Sequence, residues 1–506
     1  MSAPTRGPLR DVVIVGGGSA GWMSAAALAT ALAARDGRYR IRLVESDAIG
    51  TVGVGEATIP MIQRFNRFLG IDETDFLRAT HGTFKLGIEF DGWGAPGQRY
   101  IHGFGRIGQD LAGVPFHQYW LAMRRQGRAA PLGDYTLACA AGRAGRFAHP
   151  DPALGDSPLA AIAHAYHFDA GAYAGFLRTL AEGRGVERIE GHIAGVERAH
   201  DGNVAALRMD GGARVAGDLF IDCSGFRSLL LGETMAVPFD DWSHWLPCDR
   251  ALAVPCAPAG PLLPLTRASA RRAGWQWRIP LQHRTGNGHV FCSAHMGEDE
   301  AAAILLANLD GGALAAPRLI KFTTGRRRRA WEGNVVAIGL AGGFMEPLES
   351  TSLHMVQTAI ARLIEFFPDA GLAPADIAEF NRQATFEAER IRDFIILHYH
   401  RNGRSEEPFW RACAAMDIPD TLRRKLDLYR AHGRLVRDAD ELFAEAGWLQ
   451  VFEGQGVRPQ RDHPLAALRE ADDVAAYLAG VREVVGNCVE ALPDHGAYLD
   501  RLLSRP

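Results

Sequence analysis

Three glycines near the start of the chain are the first residues whose spacing points to chemistry. Gly16-Gly17-Gly18-Ser19-Ala20-Gly21 reads Gly-x-Gly-x-x-Gly. It follows Asp11-Val12-Val13-Ile14-Val15, a β-branched run of the kind buried on both faces of a parallel sheet. A helix of good formers, Trp22 to Ala34, comes next, and a second strand, Arg40-Ile41-Arg42-Leu43-Val44, closes on Glu45. In this frame Gly16 makes the tight turn, Gly18 lets backbone approach a pyrophosphate, and Gly21 lets the helix pack close to the strand. Ser19 and Ala20 lie at the helix N-terminus, whose free N–H groups and partial positive charge suit phosphate. Glu45 stands where a ribose hydroxyl would sit. The unit predicts dinucleotide binding.

Four further groups carry side chains able to do chemistry. They are Lys85 in the alternating stretch Thr83–Phe90, His102-Gly103-Phe104-Gly105, Trp275-Gln276-Trp277-Arg278-Ile279-Pro280, and Glu346-Pro347-Leu348-Glu349-Ser350-Thr351. Taken singly each has a plain reading. Most lysines lie on the surface, two tryptophans two apart mark one face of a half-buried strand, and His-x-Phe is ordinary core.

The elements that must position these groups are legible in outline. Asp218-Leu219-Phe220-Ile221-Asp222-Cys223 and Asn334-Val335-Val336-Ala337-Ile338 both read as strands ending in Gly turns. The second leads towards a helical pattern from Ser352 to Phe367. They predict a dinucleotide-binding domain split by long insertions, which hold strand-like runs at Arg278-Ile279-Pro280 and His289-Val290-Phe291. From Pro374 the pattern is helical almost to the end.

Composition removes other classes. The 506 residues are 47% hydrophobic and 23% charged, with a net charge of −4, so no basic excess suggests a nucleic-acid partner. The run Arg326–Arg329 reads as a solvated or ion-paired turn before a strand. Cys139, Cys223, Cys248, Cys256, Cys292, Cys413 and Cys488 have neither metal-finger nor redox spacing, so no metal site is expected and a reducing cytoplasm fits. The N-terminus lacks the apolar core of a signal peptide, and the Ala25–Ala34 stretch falls short of the roughly 20 residues of a membrane span.

Together the motifs resemble the flavin-dependent tryptophan (indole) halogenases, up to about Phe367. The glycine turn continues as Trp22-Met23 and is followed by Gly53-Val54-Gly55-Glu56-Ala57-Thr58. Trp275–Pro280 matches the family's WxWxIP signature, and Glu346–Thr351 matches the segment between flavin and substrate. The resemblance implies an α/β fold, with an FAD-binding domain of glutathione-reductase or aromatic-hydroxylase type and a mostly helical substrate-side module. Residues 1–370 would form the FAD-binding core with inserted substrate-site strands, and residues 371–506 the helical module.

Cofactor contacts implied by the resemblance are Gly16, Gly18, Ser19, Ala20, Gly21, Glu45, Ala57, Ile193 and Leu340. Lys85 matches the catalytic lysine, which holds hypohalous acid by hydrogen bonding or as a haloamine. Glu349 matches the glutamate that polarises this acid and takes the proton lost from the ring, while Glu346 matches the residue nearer the flavin. Backbone N–H groups of Thr351 and Ser352 would bind chloride or bromide; the tryptophan enzymes usually carry Gly where this chain has Ser352. Trp275 and Trp277 would wall the flavin from substrate. His102 and Phe104 would sandwich an indole, and Trp448 could stack on it.

FADH2 would come from a separate NADH-dependent flavin reductase, the substrate would be a small aromatic, and the assembly admits a homodimer. The tryptophan enzymes grip the amino-acid backbone through an aromatic cluster and a glutamate. Here Glu441–Phe452 lacks the adjacent tyrosines, which puts a free amino-acid substrate in doubt. The rival enzyme is a hydroxylase binding NAD(P)H itself, but its Asp-Gly motif would fall at Ser224-Gly225. A non-catalytic flavin-binding regulator is disfavoured by the presence of both Lys85 and Glu349.

Overall fold

The computed structural model describes residues 9–33, 37–48, 55–369 and 371–504. The expectations that touch Ala34, Gly53 and Val54 lie outside these residues. Two compact units form, each from three separated stretches. The first takes Met1–Gly82, Phe168–Pro247 and Phe322–Glu389, and the second Thr83–His167, Cys248–Lys321 and Arg390–Pro506. This differs from a single division at residue 370. The sequence does turn helical at Pro374, but the inserted strands pair with one another and so join the C-terminal helices in one unit.

The first unit holds a six-stranded sheet in the order Trp331–Glu332, Val335–Ala337, Leu219–Asp222, Asp11–Val15, Arg40–Glu45, Glu187–Glu190. All neighbours are parallel except the outermost Trp331–Glu332 pair. The strand expected at Asp11–Val15 is central, and the two later strands expected in the same domain join its sheet, Leu219–Asp222 beside it and Val335–Ala337 one strand further out. Helix Ser19–Ala31 is buried almost all round from Gly21 to Ala29, which explains its unbroken small-apolar sequence. The arginine run begins in Gly325–Arg327, the central strand of a three-stranded sheet, and the arginines just beyond it are ion-paired: Arg328 to Asp240 (2.7 Å) and Arg329 to Glu332 (2.8 Å).

The second unit is built on a seven-stranded sheet ordered Arg318–Lys321, Arg250–Cys256, Thr285–Phe291, Gly274–Pro280, Leu265–Arg271, Gly87–Asp91, Arg99–Gly103. The helices Phe116–Arg125, Leu137–Arg143, Glu298–Ala307, Pro408–Ala415, Asp420–His432, Glu445–Gly454, Ala471–Ala491 and His495–Leu503, with the end of Pro374–His400, pack in the same unit. It therefore joins a large sheet to helices that outweigh it in residues. The alternating stretch after Thr83 is not one strand. Thr83–Lys85 pairs with Ala165–Asp169, and after Leu86 the chain enters the large sheet as Gly87–Asp91. Leu86 is clamped at the switch, donating to Pro264 O (2.7 Å) and accepting from Phe104 N–H (2.8 Å).

All seven cysteines are buried and free, and no helix among the described residues is long and apolar enough to cross a membrane.

One buried carboxylate organises the turn after the strand Leu219–Asp222. Asp222, with no exposed surface, accepts from Ser224 N–H (3.1 Å), Ser224 Oγ (2.5 Å), Leu230 N–H (2.8 Å) and Leu231 N–H (2.8 Å). Asp222→Ala strands those donors, so denaturant unfolding of the apoprotein should lose about 3 kcal/mol or more. A loss within the measurement error would show that water replaces the carboxylate.

Candidate active site

The residues that the sequence resemblance assigns to the cofactor and the halide lie in the first unit. Gly16 takes φ +109°, and a Cβ there would lie 2.3 Å from Cys223 O, so the turn requires glycine. A Cβ on Gly21 would lie 1.8 Å from Gly16 O, which pins the first helical turn to the glycine loop itself. A Cβ on Gly18 would meet no protein atom within 4 Å. That open side, at a helix start whose N-cap offers no capping side chain, fits a pyrophosphate. Glu45 curls back over the turn, since a Cβ on Gly17 would strike its carboxylate, and Arg188 donates to it at 2.6 Å. Sequence reasoning missed Arg188, because the pair spans 143 residues and has no local signature. Nearby in sequence to Ala57, burial pushes the Glu56 carboxyl up to about 7.

Leu340 sits in the short turn Gly339–Ala341, held by Ser228 Oγ donating to Ala341 O (2.8 Å). Gly339 has φ +74°, and its Cβ would lie 2.8 Å from Ala20 Cβ, so the turn packs on the start of the cofactor helix. Ile193 begins strand Ile193–Arg198 in a separate three-stranded sheet and is half-buried. Next along the chain, Glu346 and Glu349 are both buried, Glu349 ending the turn Pro347–Glu349. Ser350 then takes φ +59°, a left-handed conformation uncommon for a residue with a Cβ and one that marks functional turns. Thr351 N-caps helix Ser352–Glu365 without a capping bond from its own side chain.

The second unit carries the remaining groups. Lys85 has no exposed surface, the opposite of what a lone lysine in sequence suggests. Its Nζ lies 5.5 Å from the centroid of the Phe104 ring, a cation–π distance. Phe104 is held there by its own N–H on Leu86 O, so the structure brings Lys85 and Phe104 together.

His102 is buried on the edge strand Arg99–Gly103. Gln450 of helix Glu445–Gly454 clamps that strand, accepting from Gly103 N–H (2.5 Å) and donating to Gly103 O (3.2 Å). Gly447 on the same helix leaves room for His102, whose Nε2 lies 2.8 Å from where a Cβ would stand. Trp275 and Trp277 share one face of their strand with centroids 6.0 Å apart, and Trp277 covers Gly288 directly opposite.

Trp448 is enclosed, with Phe394 edge-on at 4.8 Å and Lys425 Nζ 4.9 Å from its centroid. Lys425 in turn pairs with buried Glu441 at 2.9 Å. Phe394 stacks on Phe443 at 3.8 Å and also approaches His102 at 5.6 Å. Trp448 therefore acts through packing in this structure, as part of an aromatic cluster reaching His102.

A family description, tryptophan halogenase, matches residues 11–471 of the chain. Tryptophan 7-halogenase RebH of Lentzea aerocolonigenes is 34% identical, over 97% of this chain and 98% of its own. Among solved structures, a flavin-dependent halogenase from Xanthomonas campestris is 49% identical, covers 99% of both chains and gives a TM-score of 0.94. BrvH, a flavin-dependent halogenase from Brevundimonas sp. BAL3, is 47% identical over 98% of this chain and 99% of its own, with a TM-score of 0.93.

The glycine turn yields a paired test. Gly18→Ala adds a methyl in open space, so the apoprotein should keep its melting temperature while FAD affinity falls roughly tenfold or more. Gly21→Ala drives a methyl into Gly16 O and should lower stability even without flavin. Thermal melts of both apoproteins and a flavin titration decide it. Unchanged affinity in Gly18→Ala would mean that phosphate does not approach this glycine.

Proposed function

The chain belongs to the tryptophan halogenase family and is a flavin-dependent halogenase, and from that premise we propose that it halogenates an electron-rich indole through Lys85 and Glu349. The observation that carries the reading is the full burial of Lys85 against the face of Phe104. A buried lysine is rare unless its charge has work to do, and an aromatic face favours the ammonium form. The cofactor residues are Gly16, Gly18, Ser19, Ala20, Gly21, Glu45, Ala57, Ile193 and Leu340. Bound as FADH2, with electrons from a separate reductase, the flavin supplies the power to oxidise halide with oxygen to hypohalous acid. Backbone N–H groups of Thr351 and Ser352 hold the chloride or bromide, and Trp275 with Trp277 keeps the arene from the flavin.

Lys85 then acts on hypohalous acid as a hydrogen-bond donor to its oxygen. As the ring carbon takes the halogen, the O–X bond breaks, and the departing hydroxide gains a proton from Lys85 to leave as water. The ring carbon now bears both hydrogen and halogen, and Glu349 removes the hydrogen as a proton to restore aromaticity. His102 and Phe104 hold the ring.

Lys85→Met keeps the buried volume and removes the amine. With FADH2 supplied by a reductase, product should fall at least about a hundredfold while FADH2 oxidation continues. Glu349→Gln should slow product formation by about the same factor without abolishing it. Near-normal product from a folded Lys85→Met protein would refute the role.

Substrate size follows from the stretch Glu441–Phe452. Trp448 is enclosed and Glu441 is committed to Lys425 and to Asp438 N–H (3.0 Å), so neither supports a grip on an amino-acid backbone. A missing charge-assisted contact costs roughly 1.5–3 kcal/mol, or about tenfold to over a hundredfold in affinity. Free indole, or a substituted indole, should therefore give a higher kcat/KM than free tryptophan, with halogen at the electron-rich pyrrole carbon. A preference for tryptophan with substitution at one benzo-ring carbon would overturn this.

A further inference from the structure

Against the strand that carries Lys85 lies a buried histidine that the chemistry above does not use. Strand Ala165–Asp169 runs antiparallel to Thr83–Lys85, with His167 directly opposite Thr83 and Ala165 opposite Lys85. Alternate residues share a face, as do directly opposed ones, so Thr83, Lys85, Ala165 and His167 form one face. All four have no exposed surface.

The hydrogen bonds of this histidine fix which nitrogen carries the proton of the neutral ring. Thr83 Oγ1 lies 2.8 Å from Pro280 O, which can only accept, so the single hydroxyl proton goes there. Thr83 Oγ1 must then accept from His167 Nδ1 at 3.1 Å, which therefore carries a hydrogen. At the other end Nε2 lies 2.8 Å from Thr266 Oγ1 and, in the neutral ring, accepts the threonine proton. Every polar atom of the imidazole is used, in one neutral tautomer. Burial, with Lys85, His495 and Arg278 around it, holds His167 well below the usual histidine range. Among these, Arg278 is ion-paired with Asp310, and His495 accepts from Phe84 N–H (3.2 Å).

These bonds tie four segments together. Thr83 belongs to the Lys85 strand and Thr266 to strand Leu265–Arg271, while Pro280 ends the strand that carries Trp275 and Trp277. We propose that His167 is a positioning residue for halogenation: a neutral clamp that fixes the Lys85 strand to the tryptophan strand and leaves Lys85 the single positive charge on its face. The proposal rests on the reading of Lys85 as the group that holds the electrophile. Protonating His167 would set a second cation on that face and turn Nε2 from acceptor to donor towards Thr266.

The test compares His167→Phe with His167→Asn, using FADH2 from a reductase, an indole substrate and a trap for free hypohalous acid. His167→Phe should bind FAD and oxidise FADH2 normally, yet yield less product per flavin oxidised, by about tenfold or more, with the trap signal rising. His167→Asn, whose amide N–H can replace Nδ1–H towards Thr83, should recover much of that yield. In the wild type, product per flavin should stay level from pH 8 to 6 because the clamp does not titrate there. Wild-type yield in folded His167→Phe alongside lost yield in Lys85→Met would overturn the clamp and leave the lysine's role standing. A histidine-like fall near pH 6.5 that vanishes in both variants would also overturn it. Should the variants fail to fold, nitrogen NMR of the wild-type imidazole decides. A neutral Nδ1–H ring at pH 6.5 supports the clamp, and a cationic or Nε2–H ring refutes it.

Discussion

Burying one whole lysine side chain is the constraint around which the second unit is built. A lysine side chain with no exposed surface loses its hydration, so the surrounding groups must make the charged form tolerable. Lys85 meets the face of Phe104, whose ring quadrupole attracts a cation, and Phe104 is placed by a backbone bond to Leu86. Leu86 is also where the chain leaves one sheet for another, so the lysine is the last residue of a three-residue strand. Gly87, directly after, must be small because a Cβ would come within 2.5 Å of His102 O. Charge, sheet switch and aromatic platform are thus one local solution.

The first unit answers a different demand, which is to bring backbone close to a polyanion. Its solution uses absence of side chains and fixed amides. Gly16 and Gly21 are needed by the protein's own backbone, whereas a Cβ on Gly18 would meet no protein atom within 4 Å, so one motif holds both glycines that the fold requires and one that it leaves open. Asp222 gathers the amides of the neighbouring turn on the same side of the sheet sequence, at the position one strand over from Val15. A buried carboxylate there costs solvation, and four hydrogen bonds offset it.

The two halves of the chemistry also differ in how the chain supplies them. Glu346, Glu349, Thr351 and Ser352 come from one continuous segment, in which the left-handed Ser350 turns the backbone between the glutamates and the helix start. The aromatic groups of the second unit come from separated segments: His102, Phe394, Phe443 and Trp448 meet through ring contacts, and Lys425 with Glu441 closes the far side. Tolerance to substitution should differ accordingly, since a packed cluster adjusts by repacking and a strained turn does not.

The sequence by itself determined whatever is encoded within one short stretch. The βαβ unit with its glycines follows from a β-branched run, a turn and an Ala-rich helix, each specified by neighbouring residues, and the strands at Leu219–Asp222 and Val335–Ala337 by their own apolar runs. The family, too, was legible from ordered motifs. Only the tertiary structure decided that Lys85 is buried, that Trp448 is enclosed, and that the inserted strands belong with the C-terminal helices. It also decided the partners of Glu45 and Thr83, which lie 143 and 197 residues away. The physical reason is that burial and hydrogen-bond partners are properties of pairs brought together by folding. A period of 2 or 3.6 residues reports which face a side chain shares, and carries no record of what will cover that face.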